Sequence, residues 1–247
     1  MTKLNGLPKR VHLLIVASLL AGGACVAARL PEVARWNGLD LLAFAGLVAA
    51  IAIADQFPVA LRHGMETQNW LLTDSLWAAA LMLVRPGVLT LAVAAGVLIG
   101  ESIRRWALYK VAFNVGQFVV GITVAQLIYR AIDPPGLPSP MALVAATVAM
   151  LGYFVVNVSA VALVIAVAER KPFLAVLARP FGLTAFQWAG NLAMGILGAL
   201  IWDRNPAGLP ALAVMVGVCY FAYRGRLKDL HEREAREVAA KLALVSA

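Results

Sequence analysis

The stretch "VAFNVGQFVVGITVAQLIY", residues 111–129, decides the fold. It is long and apolar enough to cross the hydrocarbon core of a bilayer as a helix, which takes about 20 residues. Yet Asn114 and Gln117 stand inside it, three residues apart and so on one helix face. Two carboxamides in a lipid-facing position are costly, so this face is expected to look into a helical bundle.

The composition around the stretch fits that reading. Of 247 residues, 62% are hydrophobic and 14% charged, with a mean hydropathy of +0.83. No soluble domain buries so much apolar surface, so the chain is expected to be an all-α integral membrane protein. Apolar segments run over about 11–28, 40–61, 71–84, 88–101, 111–131, 140–168, 180–201 and 209–223, separated by Pro- and Gly-rich breaks such as "DPPGLPSP" and "DRNPAGLP". They predict about eight transmembrane helices over 1–223. The third and fourth are short, and Arg85-Pro86-Gly87 between them is also compatible with a re-entrant hairpin. The start of the chain mimics a signal peptide, basic then apolar then small, and is read as a retained first helix.

The positive charge distributes unevenly. Sixteen of the 21 Lys and Arg residues fall on one alternating set of flanks, including Lys9, Arg104, Lys110 and Arg170, and five on the other: Arg29, Arg35, Arg85, Arg130 and Arg204. The positive-inside rule then predicts both termini in the cytoplasm of a bacterium, with the bundle in the inner membrane. The net charge of +8 is assigned to topology and not to nucleic acid.

Polar residues inside the predicted spans gather in the cytoplasmic half, and the outer half reads as almost purely apolar. Asp55 and Gln56 lie late in the second helix, Asp74 opens the third, and Asn114 and Gln117 open the fifth. Asn157 lies in the inner half of the sixth. Gln187 and Asn191, at i and i+4, share a face of the seventh. Interhelical hydrogen bonding by these side chains, at about 0.6–2 kcal/mol each, is the simpler reading. A ligand pocket open to the cytoplasm is the sharper one, because buried ionisable groups in membranes are functional candidates. Glu101 with Arg104 and Arg105 reads as an interfacial ion pair, Thr73-Asp74 as a helix cap, and Trp106 and Trp188 as members of an interface belt. The pairs of small residues at Ala17 and Ala21, and Gly121, carry little weight in so Ala-rich a chain.

Motifs for soluble-type catalysis are missing. The sequence holds no phosphate-binding Gly-rich loop, no dinucleotide fingerprint and no HExxH. His12, His63 and His231 are scattered, and Cys25 and Cys219 lie in different spans, so neither a metal site nor a disulfide is expected. No lysine lies mid-helix to carry a retinal, and no cofactor is expected.

After the last span comes "YRGRLKDLHEREAREVAAKLALVSA", residues 223–247. Leu227, Leu230, Val238 and Leu242 belong to an imperfect heptad-like seam, which predicts either a solvated helix or a parallel dimerisation helix over 224–247. Together, "LTDSLWAAALMLVRPGVLTLAVAAGVLIGE", "KVAFNVGQFVVGITVAQLIYRAI" and "LKDLHEREAREVAAKL" resemble the N-terminal membrane sensor modules of bacterial GGDEF and HD-GYP signalling proteins, with the helix that leads to their output domain. The resemblance implies a non-enzymatic sensory or signal-transmitting module, a homodimer through the tail and a cytoplasmic output partner. No GGDEF, HD or GYP motif stands in these 247 residues, so the chain reads as a stand-alone relative or a piece of a longer protein. The alternatives are a transporter or a substrate-binding membrane subunit like the S components of vitamin uptake systems, and a structural subunit of a larger membrane complex. An uptake subunit should place its polar site outward, which the inward polar layer speaks against.

Overall fold

A computed structural model describes residues 8–63, 66–70, 72–178, 181–218, 220, 221 and 225. Their helices are α1 (Lys9–Val33), α2 (Gly38–Ala54), α3 (Thr73–Leu83), α4 (Pro86–Ile103), α5 (Leu108–Ile132), α6 (Pro140–Glu169), α7 (Phe173–Ala178) and α8 (Phe181–Arg204). A last helix, α9 (Pro206–Val218), opens with a 3-10 turn over Pro206–Gly208. Four of the described helices, α1, α4, α5 and α6, are long and apolar enough to cross a membrane. Their outward faces stay greasy: Leu13 and Leu20 are 68% exposed and Leu42 of α2 70%. This is a membrane-type helical bundle, turned toward lipid by its leucines.

Three boundaries differ from the sequence expectation. The segment over 40–61 is not one helix: α2 ends at Ala54 with Asp55 as its C-cap, and Pro58 stands between the helix and a strand. An antiparallel hairpin follows, β1 (Val59–His63) on β2 (Glu66–Trp70), in register from Val59↔Trp70 to His63↔Glu66. The fold is therefore helical but not purely so, and proline is the reason, since it donates no backbone N–H and disfavours helix in the residue before it. At the other end, α1 runs on to Val33 and takes Arg29 and Glu32 into the helix. The third segment, α3, has only 11 residues. That is about 16 Å of helix, about half a hydrocarbon core. It meets α4 at Arg85, whose extended backbone and the following Pro86 start the new helix.

Close crossings bind the bundle. Helices α1 and α5 run side by side in one direction, tied by Ser18 Oγ donating to the Phe113 carbonyl at 3.1 Å and Arg29 Nη2 to Gln126 Oε1 at 3.2 Å. A Cβ on Gly22 would lie 2.7 Å from the Gly116 Cα, and one on Gly116 would strike the Ser18 carbonyl. Ser18, Gly22 and Gly116 thus form the small-residue seam of this pair. The sequence pattern at Ala17 and Ala21 lies one residue off that seam. Helix α2 packs on α4 in the same direction, with Ile51 against Gly96 and, further along, a Cβ on Gly100 placed 2.9 Å from the Asp55 Cβ. At the far end of the same pair, Asn37 and Asp40 cap α2 reciprocally, and Arg85 Nη1 approaches Asp40 Oδ2 at 3.3 Å. The tail residues Leu227, Leu230, Val238 and Leu242 lie outside the described residues.

Candidate functional site

The inward-facing polar residues form two separate networks, not one layer. The first lies where α2 and α4 end and α5 begins. Arg104 donates to the Asp55 carbonyl at 3.2 Å and its guanidinium stands 3.5 Å from Asp55 Oδ1. Gln56 Nε2 donates to the carbonyls of Ala52 at 2.9 Å and Gly100 at 3.0 Å, locking the end of α2 onto α4. Glu101 Oε1 accepts from Asn114 Nδ2 at 2.7 Å. The expected pair of Glu101 with Arg104 and Arg105 is not what forms. Arg104 turns to Asp55 and stacks on Trp106, with the guanidinium 4.6 Å from the ring centroid. Arg105 is exposed, in a left-handed backbone conformation (φ 55°) that carries the chain from α4 to α5. Asp55 and Glu101 are 5% and 3% exposed. Each keeps one oxygen, Asp55 Oδ2 and Glu101 Oε2, buried without a hydrogen-bond partner among the described residues. Two buried carboxylates thus stand at this junction, and only Asp55 is paired with the guanidinium.

The second network lies mid-bundle, between α3, α6 and α8. The Tyr153 hydroxyl donates to Asp74 Oδ1 at 3.1 Å and accepts from Asn157 Nδ2 at 3.3 Å. Asn191, fully buried, also bonds the Asp74 carboxylate. Asp74 therefore acts as no cap for its helix: Leu72 holds the N-cap position, without a side-chain cap. Tyr153, which the sequence reading passed over, is the hub, because its ring also packs edge-on against Trp77 with centroids 5.3 Å apart. Trp77 in turn meets Phe118 at 5.0 Å. Beside Phe118 in the chain stands Gln117, 3% exposed, with neither Oε1 nor Nε2 partnered. Trp77 Nε1 and Gln187 Oε1 are likewise buried and unpartnered. Of the residues foreseen in this region, Asp74, Asn157 and Asn191 come together, whereas Gln117 and Gln187 join no side-chain bond. Trp188 Nε1 donates to the Met150 carbonyl of α6 at 3.2 Å, which ties α8 to α6.

A third network lies toward the other end of α5, where the sequence reading expected almost purely apolar residues. Gln126 of α5, 2% exposed, takes Arg29 Nη2 at 3.2 Å and Thr90 Oγ1 at 3.1 Å on its Oε1, and its Nε2 donates to the Pro86 carbonyl at 3.0 Å. Arg29 also holds Glu32 Oε1 at 2.7 Å, and Glu32 Oε2 accepts from the Gly87 N–H at 3.0 Å. The signal was present in the opening stretch, where Gln126 lies three residues before Tyr129.

The described residues contain no group of three or more His, Cys, Asp or Glu arranged to hold a metal ion. Set against known proteins, the chain matches no family model, and no curated protein or solved structure matches it significantly.

Proposed function

We propose that this chain is a non-enzymatic sensory or signal-transmitting module of the bacterial cytoplasmic membrane, whose receiving element is its buried, incompletely paired polar groups. One observation carries the reading: Asp55 Oδ2, Glu101 Oε2 and both polar atoms of Gln117 are buried without partners among the described residues. Such groups are costly in a low-dielectric interior and are retained where they serve a function. The excess carboxylate beside Arg104 would hold a proton or a small cation, and the Asp74–Tyr153–Asn157–Asn191 chain would hold a small polar ligand. Either event changes contacts between α3, α4, α5 and α8. In this reading the chain crosses the membrane in about eight segments with both termini in the cytoplasm. The tail over 224–247 dimerises and passes the change to an output partner. The resemblance to modules that precede GGDEF and HD-GYP domains supports it.

The test is a fusion of a diguanylate cyclase domain after residue 247, with product formation measured in membranes. Asp74→Asn and Glu101→Gln are expected to shift that output at least about threefold, the effect of a coupling near 0.7 kcal/mol. Output unmoved by both substitutions in folded, membrane-inserted protein overturns the reading. A cysteine at Leu230 or Val238 is expected to cross-link between protomers. Failure at both positions removes the dimerising tail.

Transport is the second reading, and one observation favours it: the Asp74 network lies mid-bundle, the depth at which transporters bind their substrates. Uptake of a labelled solute into proteoliposomes, abolished by Asp74→Asn, would establish it over sensing.

A further inference from the structure

We propose that the groove between the start of α1 and the junction of α6 and α7 is a binding site for an anionic phospholipid. The groove has a volume of about 870 Å³, within the range of about 300–1,000 Å³ typical of small-ligand sites. Its chemistry is divided. Lys9 and Arg10 enter from α1, and Arg170 and Lys171 from the turn after α6. Leu163 of α6 and Phe173 of α7 supply an apolar wall.

The local fold explains why the cations converge. Arg170 ends α6 in a left-handed conformation (φ 56°), and its N–H closes on the Ala166 carbonyl. That turn folds α7 back so that Val176 packs on Ala162 and Ala166. Leu174, two residues before Val176, remains 73% exposed on α7, as befits a short helix lying at a membrane surface. Lys171 pairs with Glu169 at 2.5 Å. No ion pair among the described residues engages Lys9, Arg10 or Arg170.

A rim with three unspent cations above an apolar wall matches one amphiphile: phosphate at the rim, acyl chain along Leu163 and Phe173. Basic pockets between helices at the membrane boundary take acidic headgroups in this way. A soluble anion would leave the apolar wall uncovered, and a zwitterionic lipid would bring its own cation to the rim. The site lies away from both inward polar networks, so it stands whether or not the sensory reading holds.

The test uses the full chain in detergent, with lipid binding counted by native mass spectrometry and by competition against phosphatidylcholine. Wild type is expected to prefer phosphatidylglycerol or cardiolipin. Each unpaired cation near the surface carries about a fivefold effect, so Lys9→Gln with Arg10→Gln should lower that preference about thirtyfold, and separately Arg170→Gln about fivefold. Arg105→Gln, an exposed cation outside the groove, should change it less than about twofold. Equal loss in Arg105→Gln and the groove variants reduces the effect to diffuse surface charge and overturns the site. So does a wild type without preference for anionic lipid. Displacement of the lipid by inorganic phosphate at equal concentration would assign the rim to a soluble anion and likewise overturn the lipid. Unchanged thermal unfolding of the variants in neutral detergent shows that a lost preference is not lost folding.

Discussion

Two glutamines of α5 lie nine residues apart and face nearly opposite ways, since nine residues at 3.6 per turn make two and a half turns. Both are buried, Gln117 at 3% and Gln126 at 2% exposed. Their surroundings differ. Gln126 uses its oxygen twice and its amide once, and it ties α5 to α1 and α4. Gln117 uses neither atom. The first is a closed network of the kind that fixes helices in register. The second is an open one, and open polar sites in a membrane interior are where a protein has room to respond. Polarity alone does not tell satisfied from unsatisfied residues in this bundle. The count of satisfied partners does.

Breaking the closed side should cost most. Gln126→Leu keeps the volume but strips Thr90 of its acceptor, the Pro86 carbonyl of its donor, and Arg29 of one of two partners. With three bonds lost at about 0.6–1.7 kcal/mol each in a membrane protein, the destabilisation is expected to be about 3 kcal/mol. Reversible unfolding in mixed micelles measures it. A change below about 0.5 kcal/mol would mean that Gln126 is no keystone and that the contrast between the two glutamines is empty.

One chemical change made in both networks sharpens the contrast. In Glu32→Gln, the new amide must face either the Arg29 guanidinium or the Gly87 N–H, both donors, so one charge-assisted bond is lost. Glu32 is 32% exposed, so the cost is set near the low end for charged bonds, about 1.5 kcal/mol. In Glu101→Gln, the oxygen that accepts from Asn114 remains, and the amide takes the place of the unpartnered Oε2. Stability should move by less than about 0.5 kcal/mol. Equal losses at the two positions would show that Glu101 is as structurally engaged as Glu32.

Much of the fold was legible because long apolar runs leave few options in a membrane: α4, α5, α6 and α8 fall close to the expected segments. What eluded the reading has physical reasons. Arg29 and Glu32 look like loop residues because they are charged, yet their mutual pair lets α1 carry them inside. Gln126 was lost among apolar neighbours. Tyr153 counts as aromatic packing until its hydroxyl is seen to reach Asp74 from a helix 79 positions away in the chain. Conversely, Asn114 and Gln117 share a face by spacing, but only Asn114 finds a carboxylate. Spacing gives direction along one helix and says nothing of the groups on the next. The hairpin over 59–70 was hidden for a different reason, since Pro58 and the polar residues after it look like any connection.

The smallest expected effect has the opposite sign and bears on function. Gln117→Leu replaces a buried, unpartnered carboxamide with an apolar group of similar volume, beside the Trp77–Phe118 contact. If the site serves only as packing, removing an unsatisfied polar group relieves a cost of about 1 kcal/mol or more, and the variant should be more stable than wild type. The same relief is expected if the carboxamide waits for a ligand, but then the gain comes with a lost response. Thermal unfolding of wild type and Gln117→Leu, with and without a panel of small polar solutes, separates the cases. A solute that stabilises wild type and leaves Gln117→Leu unmoved places Gln117 in a binding site. Greater stability with the same response to every solute returns it to the packing of α5. A variant less stable than wild type would mean that Gln117 has a partner after all, and the open network would close.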